Sequence, residues 1–230
     1  MNKRNIIKLI SVGVLTLALS GFKLPSLGGG GDSGGGDWKA IAGEFNGSFK
    51  LISKAMELAL DGIIQSKKAI DLKTESAVQL QNETAKANSG SAIPIELVER
   101  QLKYVKDASE ELASALENKK LTAQEKEALA DSNVNYTKGF VNGGVGYLKF
   151  FIAAKKAKKA GTPSGMDLIG SAKEIPNILS NIPVLVEALP VAYDAFIIFN
   201  KSLKAADVSI PDSSNKAIKN AKADLMKGML

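Results

Sequence analysis

The sequence predicts an all-α protein, an elongated antiparallel helical bundle with long helices and a kinked or stepped helix near residues 175–199. Over long segments, apolar residues recur at steps of three and four, which is the period of one helix face. No segment longer than a few residues alternates apolar and polar residues as a strand requires. Proline recurs every seven residues at Pro176, Pro183 and Pro190, which predicts either one curved helix or a series of short ones.

Residues 1–21 have the composition of a bacterial export signal. Basic residues precede an apolar run at 9–19 and two small residues, and the run is shorter than the about 20 residues of a spanning helix. An uncleaved membrane anchor is the alternative. Removing the signal takes away Lys3, Arg4 and Lys8, so the net charge falls from +6, with 30 basic and 24 acidic residues, to +3. This small charge argues against a nucleic-acid partner.

The end of the signal, Leu19-Ser20-Gly21-Phe22, resembles the lipobox of bacterial lipoprotein signal peptides. In that family a cysteine follows the glycine and receives the lipid, whereas this chain has Phe22. The resemblance covers the signal alone, and it implies a lipid anchor only if Phe22 has replaced a native cysteine. In that case Lys23 would favour the outer membrane. The alternative is a soluble protein, and both lead us to expect a periplasmic or outer-membrane-associated location.

The residue inventory excludes several kinds of chemistry. The chain contains no cysteine and no histidine, so disulfides, zinc sites built on these residues, Ser-His-Asp triads and Cys-His dyads cannot form. Ser213 and Lys216 match a Ser-x-x-Lys pattern, but no Lys-Thr-Gly accompanies it and the serine suits a helix start. We therefore expect a protein that is not an enzyme and has neither a metal nor a cofactor.

Residues 22–37 predict a flexible glycine-rich linker, and residues 38–230 a single helical-bundle domain. A helical stripe begins at Trp38 and continues to Asn88, which predicts one long helix or two collinear ones with a weak join near residues 71–76. Three glycines in this segment lower helix propensity, so we expect another backbone to approach them. They are Gly43, Gly47 and Gly62.

Two further helices follow. Pro94 suits a first helical turn, and Thr122 with Glu125 forms a predicted capping box at the start of the next helix. Apolar residues of that helix form two adjacent stripes, which predicts a central position with neighbours on both sides. The first stripe contains Leu129, Tyr136, Phe140, Gly143, Tyr147 and Phe150, and the second contains Val134, Val141, Val145, Leu148 and Ile152.

The proline-containing helix is expected to cover the other helices as a lid and to form one wall of an apolar pocket. The expected pocket residues are Phe140, Gly143, Tyr147, Leu185, Leu189, Tyr193 and Phe196. Glu187 and Asp194 are seven residues apart, which places both on one helix face as a polar stripe. Three interpretations of these acids are open: a solvated surface, buried carboxylates that pair with lysines, or acids that line a polar groove.

Four lysines end the helix that precedes residue 161: Lys155, Lys156, Lys158 and Lys159. Cations suit the last turn of a helix because they oppose its dipole. The alternative is a membrane-surface patch that binds anionic lipid head groups. The sequence thus predicts an exported, non-enzymatic binding or assembly module of the cell envelope, with an apolar ligand, a lipid or an envelope protein as partner. The alternative is a membrane-active or pore-forming helical protein.

Overall fold

A computed structural model describes residues 38–90, 93–161 and 175–210, and the single positions Lys216, Asn220 and Ala223. The predicted signal at 1–21 and the predicted linker at 22–37 lie outside the described residues. Within the described residues the chain forms five helices and no strand, so the all-α prediction is confirmed. The helices are α1 (Trp38–Ala69), α2 (Glu75–Asn88), α3 (Ile95–Leu116), α4 (Ala123–Ala160) and α5 (Ile175–Ala205).

The two longest helices, α1 and α4, pack as an antiparallel pair. Gly62 near the end of α1 lies against Tyr136, whereas Gly146 in the second half of α4 lies against Ile52. A Cβ at Gly62 would come within 2.6 Å of the Tyr136 backbone nitrogen, so the two helix backbones are in contact at this point. Small residues permit such an approach because no side chain separates the backbones.

The expectation for the glycines of α1 is confirmed at one position and wrong at two. Gly62 meets the backbone of α4, as predicted. Gly43 and Gly47 are exposed, and no described residue lies within 4 Å of the place where their Cβ atoms would be. Those two glycines therefore lower helix propensity without any compensating contact among the described residues.

Helix α2 does not continue α1, so the prediction of one long helix or two collinear ones is wrong. The Nδ2 of Asn88, at the end of α2, donates to Glu57 Oε2 in the middle of α1 at 2.8 Å. The chain therefore reverses at residues 70–74. Asp71 has a φ of +60°. The backbone N–H of Asp71 donates to the Lys68 carbonyl, and that of Leu72 donates to the Lys67 carbonyl. This is a Schellman motif, which ends a helix with a residue in the left-handed region.

Helix α3 packs on α2 in the opposite direction. The Nε2 of Gln101 donates to Thr84 Oγ1 at 2.8 Å, and both side chains are buried. The next turn contains the predicted capping box: Thr122 N–H donates to Glu125 Oε2 at 2.7 Å, and Glu125 N–H donates to Thr122 Oγ1 at 3.2 Å. These two bonds satisfy N–H groups at the start of α4, so the prediction of a helix start there is confirmed.

Helix α5 passes through Pro183 and Pro190 without interruption, so the stepped interpretation is wrong and the chain forms one helix of 31 residues. Pro176 is its second residue, where a missing N–H costs no hydrogen bond. The helix packs most extensively on α3 and also contacts α4. It ends at a second Schellman motif, in which Asp207 has a φ of +57° and the backbone N–H of Val208 donates to the Leu203 carbonyl at 3.0 Å.

Candidate functional site

Aromatic side chains of α4 and α5 form a compact cluster in the core. The rings of Phe140 and Phe196 are stacked with their centroids 4.4 Å apart and an interplanar angle of 4°. Tyr193 meets Phe140 edge to face at 4.8 Å, and Tyr136 lies 4.3 Å from Phe196. The four rings are at most 2% exposed. Such contacts add to the stability gained by burying the rings, and they hold α5 on α4 although few backbone atoms of the two helices come close.

The structure brings together most of the residues that were expected to line an apolar pocket. Phe140, Tyr193 and Phe196 are in direct ring contact, and Tyr147, Leu185 and Leu189 are buried in the same core. Gly143 lies beside Tyr147 and faces α1, because the nearest atoms to a Cβ at this position belong to Met56, Ala55 and Tyr147. Since the aromatic rings touch one another, a ligand at this place would have to displace them.

The three tyrosine hydroxyls of this core differ in their hydrogen bonds. Tyr193 donates to the Phe140 carbonyl at 2.6 Å, and Tyr136 shares a hydrogen bond with Ser109 of α3. The Tyr147 hydroxyl is buried and has no hydrogen-bond partner among the described residues. Burial raises the pKa of Tyr147 well above its ordinary value, and the nearby Tyr193 raises this pKa further. All three hydroxyls are therefore protonated at physiological pH and suited to packing, not to proton transfer.

A buried amide pair joins α4 to α5. The Nδ2 of Asn133 donates to Asn200 Oδ1 at 2.9 Å, and Asn200 donates to the Phe196 carbonyl at 3.0 Å. Both asparagines are at most 2% exposed. Sequence reasoning missed this pair, although Asn133 lies between Leu129 and Tyr136 at core-facing spacing. A polar residue at such a position is a signal of a specific buried partner, because an unpaired amide in the core is costly.

Lys67 is a second buried polar group that sequence reasoning missed. Its side chain is 6% exposed, its Nζ donates to Glu111 of α3 at 2.7 Å, and it lies 5.7 Å from the centre of the Tyr104 ring. Burial lowers the pKa of Lys67, but the hydrogen bond to Glu111 and the attraction of Tyr104 and Glu111 together hold it above its ordinary value. The ammonium stays charged, so this pair connects α1 to α3 and is not a base.

The polar stripe of α5 faces away from the aromatic cluster. Glu187 is exposed and Asp194 is partly buried, whereas Leu185 and Phe196 on the opposite face are buried. This exposure agrees with the interpretation of Glu187 as part of a solvated surface. Neither acid belongs to a metal-binding group, because the described part of the chain contains no cluster of three or more potential metal ligands.

Helix α4 contacts both α1 and α5, so the prediction of more than one neighbour is confirmed, but part of its second apolar stripe lies on the surface. Val134, Val145 and Ile152 are 38%, 53% and 52% exposed, while Val141 and Leu148 are partly buried. We call these five residues the outer stripe. The first stripe of α4 is buried as predicted, because its glycines and rings contact α1 and α5. Leu148 packs against the core, whereas Val134, Val145 and Ile152 form an apolar surface that no described helix covers.

The four lysines at the end of α4 are all exposed. Lys156 forms an ion pair with Glu44 near the start of α1 at 2.5 Å, which places the basic end of α4 beside the first turns of α1. An ion pair between exposed side chains stabilises a fold only weakly. The cluster is exposed, and it joins the C-terminal end of the outer stripe at Ile152.

The chain has no counterpart in the comparisons with known proteins. Protein-family models, curated proteins and solved structures all returned no match. One described helix, α5, is long and apolar enough by length and composition to cross a membrane, and half of its apolar window is buried inside the bundle. The outer stripe and the basic end of α4 are therefore the features of this chain that indicate a function.

Proposed function

We propose that this protein is an exported, non-enzymatic helical-bundle module of the bacterial cell envelope, which acts by docking the outer face of α4 onto a partner. The observation that carries the proposal is the exposure of the outer stripe, with Val145 and Ile152 each more than half exposed. Large apolar side chains that are contiguous on a surface mark an interaction site more often than isolated ones do. The export signal predicted from residues 1–21 supports an envelope location.

The inventory of reactive side chains supports a binding function over an enzymatic one. The chain has no histidine or cysteine. Its buried tyrosines have raised pKa values, and its buried lysine is paired with a carboxylate. Perturbed groups of this kind hold the helices together, and none of them faces the outer stripe of α4.

Photo-crosslinking tests the proposal. A photoreactive amino acid replaces Val145 in one variant and Leu58, an exposed leucine of α1, in a control, and both full chains are expressed in bacteria. We expect a reproducible adduct in the envelope fraction at position 145 and none at position 58. Equal adducts at both positions, or none at 145, would contradict docking through α4. Secretion into the medium without envelope association would contradict the proposed location.

Membrane insertion of α5 is the second candidate function, favoured by the apolar length of that helix. Insertion requires α5 to leave the aromatic cluster and the Asn133–Asn200 hydrogen bond. Release of a dye trapped in lipid vesicles separates the two candidates. Rapid release by protein from which the signal has been removed supports insertion, whereas intact vesicles of both anionic and neutral lipid contradict it.

A further inference from the structure

The second half of α4 has an unusual charge distribution. Residues 132–160 contain six lysines and no aspartate or glutamate. All six lysines are exposed: Lys138, Lys149, Lys155, Lys156, Lys158 and Lys159. The helix therefore presents a positive field on its solvent side, in a protein whose net charge without the signal is small.

The lysines border the outer stripe in a regular way. At 3.6 residues per turn, the five apolar residues of the stripe fall within an arc of about 60° around α4. Lys138, Lys149 and Lys156 follow one edge of this arc. At the C-terminal end, Lys159 lies within the arc and Lys155 lies just beyond its opposite edge. From Val134 to Ile152 the stripe is about 27 Å long. An apolar strip bordered by lysines is typical of a helix that lies in the plane of a membrane surface.

The chemistry of the stripe favours a lipid surface over a protein partner. Its side chains are all aliphatic, and it contains none of the aromatic or arginine side chains that dominate most protein interfaces. A second copy of the chain is disfavoured because two such faces would bring lysine against lysine. Anionic head groups complement these lysines, whose long side chains keep the ammonium at head-group level while the aliphatic ridge enters the acyl region.

The position of the basic end agrees with membrane attachment. Phe45 contacts Phe150 and Glu44 pairs with Lys156, so α1 begins at the end of the bundle where α4 finishes. Trp38, which the predicted signal and linker precede in the sequence, therefore lies at this same end. A protein attached to the membrane through the segment before Trp38 would therefore have the lysine cluster of α4 close to its point of attachment.

We propose that the outer stripe of α4 and its bordering lysines bind the surface of an anionic phospholipid bilayer, with α4 parallel to the membrane plane. This inference rests on the proposed function and specifies the chemistry of the partner. It does not require α5 to leave the bundle, because Val134, Val145 and Ile152 are already exposed in the folded protein.

The absence of cysteine allows a site-specific test. Val145→Cys and, as a matched control, Leu58→Cys each introduce a unique thiol, which is labelled with an environment-sensitive fluorophore. The chain from residue 22 onward, which retains every described helix, is used after circular dichroism and urea unfolding have shown that it is folded. Vesicles contain either phosphatidylcholine alone or equal parts of phosphatidylcholine and phosphatidylglycerol. We expect a blue shift for the label at 145 with the anionic vesicles only, and none for the label at 58.

Substitutions in unlabelled protein measure the two contributions by vesicle sedimentation. Val145→Ser with Ile152→Ser is expected to weaken binding at least tenfold, because two aliphatic side chains no longer enter the bilayer. Lys155→Gln and Lys159→Gln are expected to weaken it about fivefold each and to reduce its dependence on salt. Leu58→Ser is expected to bind as the unsubstituted protein does. Equal binding to both vesicle types, or equal losses in the control, would overturn the inference.

Two further outcomes assign the stripe to another occupant. Slow thiol labelling of Val145→Cys in the absence of vesicles would show that the chain itself covers the stripe. A dimer in sedimentation velocity that Val145→Ser with Ile152→Ser dissociates would assign the stripe to a second copy. A protein adduct at position 145 in the envelope, without binding to vesicles, would support the proposed function and overturn the lipid inference. If neither an adduct nor vesicle binding is observed, the proposed function and the lipid inference are both overturned.

Discussion

Gly146 of α4 faces Ile52 of α1 at a distance that leaves no room for a side chain. A Cβ at position 146 would lie 2.8 Å from Ile52 Cγ1 and 2.9 Å from the Ile52 backbone nitrogen. Gly139 meets α1 in the same way, with the Ala59 backbone nitrogen at 2.6 Å. The longest helix pair of the protein is therefore positioned by direct contact between backbones, and its spacing depends on individual glycines.

We expect Gly139→Ala to lower the free energy of unfolding by about 1–3 kcal/mol, because the new methyl group would collide with the backbone of α1. Gly143→Ala is the matched control, since the nearest atom to its Cβ is Met56 Cε at an ordinary 3.5 Å. That change is expected to be neutral or to stabilise by up to about 1 kcal/mol through helix propensity. Urea unfolding of the two variants measures the difference, and similar midpoints would contradict the close contact.

Replacing the exposed glycines of α1 is expected to stabilise the protein. Gly43→Ala and Gly47→Ala each add a methyl group that meets no described residue within 4 Å, and each removes the entropic cost of glycine in a helix. We expect an increase of up to about 1 kcal/mol for each, with roughly additive effects. Thermal unfolding measures the increase in stability of each variant. A loss of stability in either one would show that these positions contact another part of the chain.

Two buried tyrosines are expected to respond differently to the loss of their hydroxyl. Tyr193→Phe removes the hydrogen bond to the Phe140 carbonyl and should cost about 1 kcal/mol. Tyr147→Phe removes a buried hydroxyl that has no partner among the described residues, so it should be neutral or stabilising by about 1 kcal/mol. Urea unfolding measures the free energy of unfolding of each variant against that of the original protein. A destabilised Tyr147→Phe would indicate a partner for this hydroxyl.

The ion pair between Lys67 and Glu111 is expected to be asymmetric. Glu111→Gln leaves a buried ammonium without its carboxylate and should lower the free energy of unfolding by about 1–3 kcal/mol. Lys67→Met removes the buried charge and leaves Glu111, which is about half exposed, to be solvated. We expect this second variant to be close to neutral, because an apolar side chain replaces a buried ion. Equal losses in both variants would contradict this asymmetry.

The same pair predicts a pH dependence. The folded state holds the pKa of Lys67 above its ordinary value of 10.5, so the charged ammonium stabilises the fold fully below pH 10.5. That contribution is lost as the pH rises through the folded pKa, because the folded protein then releases the proton. The stability of the original protein should therefore decrease more above pH 10.5 than that of Lys67→Met. Parallel stability profiles of the two proteins in alkaline solution would contradict the raised pKa.

The positions of most helices follow from local chemistry. The capping residues Thr122 and Glu125 act on N–H groups three residues away, so they locate the start of α4 without reference to the rest of the fold. The end of α1 gives no such signal. Asp71 takes the left-handed conformation that glycine or asparagine usually occupies, and the apolar spacing continues into α2. For this reason the sequence suggested collinear helices where the chain forms a hairpin.

The candidate site was only partly predictable for a similar reason. The contact of Phe140 with Tyr193 and Phe196 was expected, because large aromatic residues at helical spacing are usually buried. The outer stripe has the same period as a core face, and Val145 alone does not reveal whether a neighbour covers it. That depends on the number of helices that surround α4 and on the angles at which they pack.

The amino-acid sequence by itself determined the helical class, the approximate helix starts, the exclusion of histidine and cysteine chemistry and the row of lysines on α4. Periodicity, capping and composition are local properties, and each of them acts over a few residues. The tertiary structure decided the reversal at Asp71, the buried pairs of Lys67 and Asn133, and the exposure of Val145 and Ile152. These features depend on contacts between residues that are distant in the chain, and an apolar face becomes core only where another helix packs against it.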